Sequence, residues 1–147
     1  MIYREGSKKD LEAVFELIKE LAKFENAESK LTNKLDQMIE DGFNDEPLYK
    51  ILIAEKNNNV IAILIYYFKY STWKGKVFYV EDFIVKEGYR GKGIGKNLLN
   101  YAKKIAKKQN CRGISLQVLD WNINAIDFYK KNNFSFDNQW INCHLDI

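Results

Sequence analysis

The stretch Tyr89-Arg-Gly-Lys-Gly-Ile-Gly-Lys96, "YRGKGIGK", sets three glycines at alternate positions between a run of apolar β-formers and a lysine-rich helix. Glycine where a helix begins costs backbone entropy, so the loop should hold something that offsets it. The usual compensation is an anion approached closely by backbone N–H groups at the helix N-terminus. A loop of the form G-x-x-x-x-G-K-[ST] is excluded. Counting back from Gly95-Lys96, its first glycine falls on Arg90, and Asn97 stands where a magnesium-binding hydroxyl belongs. The dinucleotide pattern G-x-G-x-x-G is excluded as well, because Gly91, Gly93 and Gly95 are spaced by twos. A flexible connector explains neither the arginine nor the regular glycine spacing.

Working outward, "KVFYVEDFIV" before the loop reads as a strand, entered through Trp73-Lys74-Gly75. "LYKILIAE" and "VIAILIYYFKY" flank Asn57-Asn58-Asn59, a turn that tolerates positive φ, and so form a hairpin. These strands are too continuously apolar to have a wet face, which places them at the centre of a sheet with helices on both sides. After the loop, Ile94, Leu98, Leu99, Ala102, Ile105 and Ala106 form the buried stripe of a helix whose lysines face water. "RGISLQVLDW" reads as a strand, "NINAIDFYKKNN" as a short helix, and "FSFDNQWINCHLDI" as one or two final strands.

At the other end, Met1 to Glu5 reads as an edge strand, and Ser7 with Asp10 makes a capping-box-like start to a helix reaching about Phe24. Thr32 is placed to cap a second helix that stops at Gly42. The expected fold is α/β (α+β), one domain over residues 1–147, with a mixed central sheet of about six to seven strands and helices on both faces.

Composition narrows the function classes. The chain has 147 residues, 46% hydrophobic and 29% charged, with the single proline Pro47, which fits one well-buried soluble domain. No apolar run approaches the roughly 20 residues of a membrane span, and "MIYREGSKK" lacks the features of a secretory signal, so a cytoplasmic location is expected. Net charge is +3, and all but three of the 23 basic residues are lysine. Nucleic-acid binders stand further from neutrality and favour arginine, so no nucleic-acid or membrane partner is expected. The lysine-rich helix from Ile94 to Lys108 reads more simply as a solvated face than as a basic binding face. Cys111 and Cys143 lack metal-ligand spacing, and His144 beside Cys143 has no orienting motif, so no metal is expected.

R-G-x-G-x-G after a strand and opening a helix resembles the acetyl-CoA pyrophosphate loop of the GNAT-type N-acetyltransferases. "LIKELAKFE", "EDGF", "YYFKYSTWKGK", "YVEDFIV", "YRGKGIGK", "VLDWNINAIDFYKK" and the late Trp140 extend that resemblance over nearly the whole chain, to the spermidine/spermine-type (diamine) acetyltransferases. "YSTWKG" and "VLDWN" look more like the thialysine ε-N-acetyltransferase branch. The resemblance implies acetyl-CoA as co-substrate, a small cationic amine as acceptor, direct attack in a ternary complex, and pairing of two copies into a homodimer. The nearest alternative within the family is acetylation of a protein N-terminus or lysine.

Residue by residue, Arg90, Gly91, Lys92, Gly93, Ile94, Gly95 and Lys96 match the pyrophosphate loop, Arg90 and Lys96 adding charge-assisted contacts. The backbone of Phe83, Ile84 and Val85 matches the strand that pairs with pantetheine, and Asn122 and Ala125 match the other side of that slot. Tyr129 matches the tyrosine near the thioester sulfur and is the candidate general acid, the alternative being that Phe128 and Tyr129 only pack. Glu81 matches the amine-facing carboxylate. On a regular strand Asp82 would point to the opposite face. An alternative is a buried pair satisfied by backbone or lysine. Phe24, Glu25, Asp82, Trp73 and Trp140 match amine-side contacts, although Glu25 reads equally as a solvated helix end. Ser71 and Asn138-Gln139 stand where the spermidine branch usually carries acids, which favours a smaller or amino-acid-like amine.

Overall fold

In the computed structural model, which describes all 147 residues, Asn57 and Asn58 adopt φ of 51° and 61°. That two-residue left-handed turn matches strand twist, and it joins β2 (Lys50–Lys56) to β3 (Asn59–Ser71). A second tight connection, with Gly75 at φ 93°, leads from β3 into β4 (Gly75–Val85). With β1 (Ile2–Glu5) and β5 (Ile114–Leu116) they form a sheet in the order β1-β2-β3-β4-β5. The first four strands pair antiparallel and β4–β5 is parallel, so the sheet is mixed.

Alternation along β2 explains why both faces are dry. Leu52 and Ala54 join Leu64, Tyr66, Phe78 and Val80 on one face, covered by Ile94, Leu98 and Ala102 of α3 (Ile94–Lys108). Ile51 and Ile53 join Ile63, Ile65 and Ile84 on the other, covered by Leu11, Val14 and Leu17 of α1 (Leu11–Phe24) and Met38 of α2 (Leu35–Gly42). Continuous apolar runs are what a sheet sandwiched between helices requires. Chain contacts divide the molecule into two compact units: Met1–Gln117, with the sheet and α1–α3, and Val118–Ile147, with α4 (Ile123–Lys131). No helix is long and apolar enough to cross a membrane.

The sheet has five strands, fewer than the six to seven expected from the sequence. β5 occupies only three residues of "RGISLQVLDW", and residues 132–147 form no strand. Strand propensity marks residues that fit a pleated, half-buried surface. In the C-terminal segment Trp140, Ile141 and Leu145 are exposed and belong to no strand of the sheet. Thr32 is not the cap of α2, which begins three residues later after Lys34.

Arg4 fastens β1 to its neighbours. Its guanidinium donates to both carboxylate oxygens of Asp10 at 2.8 Å, and to Oε2 of Glu55 on β2 through Nε at 3.0 Å and a terminal nitrogen at 2.6 Å. Asp10 Oδ2 also accepts from the Ser7 backbone N–H at 2.7 Å, as the capping-box reading requires. The Arg4 and Ser7 bonds hold the Asp10 carboxyl well below the usual carboxylate range. A lowered pKa contributes stability above the unfolded value, lost only as pH falls through the folded one. Asp10→Ala is therefore expected to cost about 2 kcal/mol at pH 7, since a charged bonding partner is removed at a buried site. Urea denaturation checks this, and the deficit should persist at pH 5.

Candidate active site

β3 and β4 pair without interruption from Ser71↔Gly75 to Tyr66↔Val80, and pairing then resumes at Ile65↔Asp82. Glu81 is the extra residue, which makes it a β-bulge. The bulge reverses the alternation of β4. Phe78 and Val80 face the α3 side before it, whereas Phe83 and Val85 pack against that same side after it. Asp82, paired with Ile65, therefore shares the α1 side with Ile84. Tyr67 and Tyr79 are paired on this side too, with ring centroids 5.2 Å apart. The Tyr67 hydroxyl donates to Glu81, whose charge also acts on Tyr79. The sequence expectation that Glu81 and Asp82 look to opposite faces thus fails at the bulge: both carboxylates serve the α1 side.

Glu25 completes the cluster as the residue that ends α1, its N–H bonded to the Leu21 carbonyl at 2.9 Å. Burial, then the charges of Glu81 and Glu25, raises the Asp82 carboxyl to about 6. Burial raises Glu25 as well. Burial and the Glu81 charge together push the Tyr67 and Tyr79 hydroxyls upward. No lysine or arginine forms a salt bridge with any of the three carboxylates. Like charges gathered without a cation favour an incoming ammonium group, which relieves both repulsion and desolvation. No group of His, Cys, Asp or Glu side chains is arranged to hold a metal ion. At the other end of the aromatic pair, the Lys69 ammonium lies 5.3 Å from the centroid of Tyr79.

Beyond Val85 the chain makes one short turn, Glu87–Tyr89, and enters the glycine loop. Gly91 and Gly93 sit at φ 72° and 76°, and a Cβ on either would meet no atom within 4 Å. Glycine is needed there for backbone conformation, and the space over the loop is open. The first helical bond of α3 runs from the Asn97 N–H to the Gly93 carbonyl, which leaves the N–H groups of Ile94, Gly95 and Lys96 without intrahelical acceptors. Open space and a row of orphan donors fit a diphosphate. Arg90 and Lys92 do not extend into that space. Arg90 Nε donates to the Val85 carbonyl at 2.8 Å, with its guanidinium 5.5 Å from the Phe24 ring, and Lys92 Nζ donates to the Gly88 carbonyl at 2.9 Å. Phe24, expected at the amine, lies under the Arg90 guanidinium.

β5 pairs with β4 only from Phe78 to Val80. Past Val80, therefore, β5 no longer pairs with β4. Phe83 and Val85 pack their side chains against the α3-side core and Ile84 against the α1-side core.

In the second unit, Asn122 caps α4, its Oδ1 accepting from the Ala125 N–H at 3.2 Å. Tyr129 is buried, its ring edge-on to Phe128 and Phe134 at 5.3 Å each. Trp140 is exposed, its indole N–H donating to Asp137 at 2.9 Å. Trp73, in the β3–β4 turn, is 85% exposed, and Ser71 in that turn accepts from the Lys74 N–H at 3.2 Å. Tyr67, Tyr79 and Lys69 were not singled out by sequence reasoning. Only the strand register shows that they share a face with Glu81.

Residues 11–134 match the acetyltransferase (GNAT) family. The chain belongs to that family and is an acetyltransferase. It is 36% identical over 138 residues to thialysine N-epsilon-acetyltransferase of Bos taurus, covering 88% of this chain and 81% of that protein. A human spermidine/spermine N(1)-acetyltransferase-like protein is 37% identical over 127 residues, 82% of this chain and 18% of its own. Among solved structures, an aminoglycoside N-acetyltransferase in complex with CoA shares the fold, with a TM-score of 0.76 at 16% identity over 99% of this chain and all of the other.

Because Gly93 needs φ near 76° and its Cβ position is free of neighbours, Gly93→Ala should cost only the left-handed backbone term, about 1 kcal/mol. A larger effect is expected on CoA binding, where the added methyl enters the open space. Denaturation and calorimetric titration with CoA separate the two, and binding should weaken by more than the stability loss accounts for.

Proposed function

We propose that this acetyltransferase moves the acetyl group of acetyl-CoA to the primary amine of a small cationic substrate, a diamine, a polyamine or a thialysine-like amino acid, by direct attack in a ternary complex. The observation that carries this reading is the unneutralised trio of Glu25 at the end of α1 with Glu81 and Asp82 on the strand that leads into the glycine loop. Bound acetyl-CoA supplies an activated thioester carbonyl. The loop backbone from Gly91 to Lys96 holds its diphosphate, and the backbone of Phe83 to Val85 takes its amide arm. The family resemblance assigns Asn122 and Ala125 to that arm as well.

An aliphatic amine with a pKa near ~10.4 must lose a proton before it can attack, which at pH 7 costs about 4 to 5 kcal/mol. The carboxylates hold the ammonium form in place, and Glu81 receives the proton directly or through water as the nitrogen attacks the carbonyl carbon. Asp82, raised to about 6, sits closer to neutral pH than an ordinary carboxyl and is suited to share that proton. As the carbon–sulfur bond breaks, Tyr129 gives its hydroxyl proton to the departing thiolate, whose own pKa of about 8.5 makes this assistance modest. The aromatic pair Tyr67–Tyr79 forms a surface on which the substrate's apolar and cationic portions rest.

Removing the Tyr129 hydroxyl (Tyr129→Phe) should lower kcat while acetyl-CoA affinity stays nearly constant. Unchanged turnover would remove the acid role from Tyr129.

Asp82 gives a pH test with a definite sign. A carboxyl raised in the folded state stabilises the fold below its ordinary pKa, and that contribution disappears as pH rises through about 6. Asp82→Asn should therefore be more stable than the wild type at pH 7.5, by on the order of 1 kcal/mol, and lose that advantage near pH 4. The same change should flatten the acidic limb of kcat/KM for the amine, which in the wild type falls as Asp82 protonates below about pH 6. Stability and rate profiles taken over the same pH range check both halves.

A further inference from the structure

The α1 side of the bulged strand carries one unexplained charge. Lys69 projects from β3 on the same face as Tyr67, two residues along, and its ammonium lies over the ring of Tyr79 at 5.3 Å. It forms no salt bridge with Glu81, Asp82 or Glu25, and it is exposed. The face therefore has a polarity along the strand: an ammonium, then the Tyr67–Tyr79 pair, then Glu81, Asp82 and Glu25. A site for a wholly cationic chain gains nothing from a fixed positive charge at its rim, because like charges repel there.

A substrate with an ammonium at one end and a carboxylate at the other matches this order. Lys69 lies four residues of strand from Ile65, the partner of Asp82, roughly 13 Å along β3; an extended diamino acid of about 7 Å with an ion-pair contact of about 3 Å at each end covers that distance. Ser71, at the end of the same strand, offers no negative charge to bind a second ammonium, being engaged with its own turn.

We infer that Lys69 is a specificity-determining residue: its ammonium pairs with the carboxylate of an amino-acid substrate whose side-chain amine lies against Glu81 and Asp82. This rests on the amine-acetylating activity proposed above and narrows its substrate class to amino acids bearing a second, terminal amine. Polyamines become poorer substrates for the same reason.

Matched pairs that differ only in the carboxylate, lysine with cadaverine and ornithine with putrescine, isolate the effect. Initial rates of acetyl-CoA consumption give kcat/KM for each member, and the ratio of acid to diamine is the quantity read. In the wild type the ratio should exceed one. Lys69→Met should reduce it at least about fivefold, the size of a partly exposed ion pair, and the change should lie in KM for the amino acid. Lys69→Glu should reduce it further, to below one, and Lys69→Arg should keep it near the wild-type value. A ratio that Lys69→Met and Lys69→Glu leave unchanged, in enzyme that still acetylates both members, overturns the role of Lys69 alone. No acetylation of any of the four amines by the wild type overturns the proposed activity and this inference with it.

Discussion

The unpaired Glu81 reverses the alternation of β4 halfway along its length, and the arrangement of the site follows from that reversal. Were the pairing regular, Glu81 would oppose Ile65 and Asp82 would turn toward the α3 core among Phe78 and Val80, where an unpaired carboxylate is costly. With the bulge, the strand delivers two successive acidic side chains to one side and resumes packing with Ile84 on the α1 face. β5 stops pairing at Val80, one residue before the bulge, so the β4–β5 ladder ends where the carboxylates begin. One local irregularity thus sets the acidic cluster where the pairing of β4 with β5 has ended.

Electrostatics then divides the chemistry between two regions of opposite character. The glycine loop gathers orphan N–H groups and the positive end of the α3 dipole, which suits a diphosphate. The α1 side gathers Glu25, Glu81 and Asp82, which suits an ammonium. Arg90 lies between them and serves the scaffold, tied to the Val85 carbonyl and stacked on Phe24. The residue that stands out most strongly in the loop motif is thereby a brace between β4 and the end of α1. The glycines leave the loop its open space and its unpaired helix N-terminal N–H groups.

Much of this was legible before the structure. Apolar runs of period two, the asparagine turn at 57–58 and the glycine-to-helix junction each leave a local signature, and the central strands, α1 and α3 fall where those signatures place them. The bulge leaves none: "YVEDFIV" alternates as any buried strand does, and only pairing with Ile65 and Tyr66 shows that Glu81 is supernumerary. Lys69 was invisible for the same reason, since its neighbour Tyr79 lies ten residues away and across a turn. The final strands were over-read because "FSFDNQWINCHLDI" has strand composition, whereas a strand also needs a partner edge.

The most direct test of the account is product analysis by mass spectrometry after incubation of the protein with acetyl-CoA and each of thialysine, lysine, spermidine, putrescine and a lysine-containing peptide. The account predicts one acetyl group on a primary amine of a small substrate, with one free CoA thiol released per product formed. CoA release without an N-acetylated amine, or acetylation confined to the peptide, would contradict it.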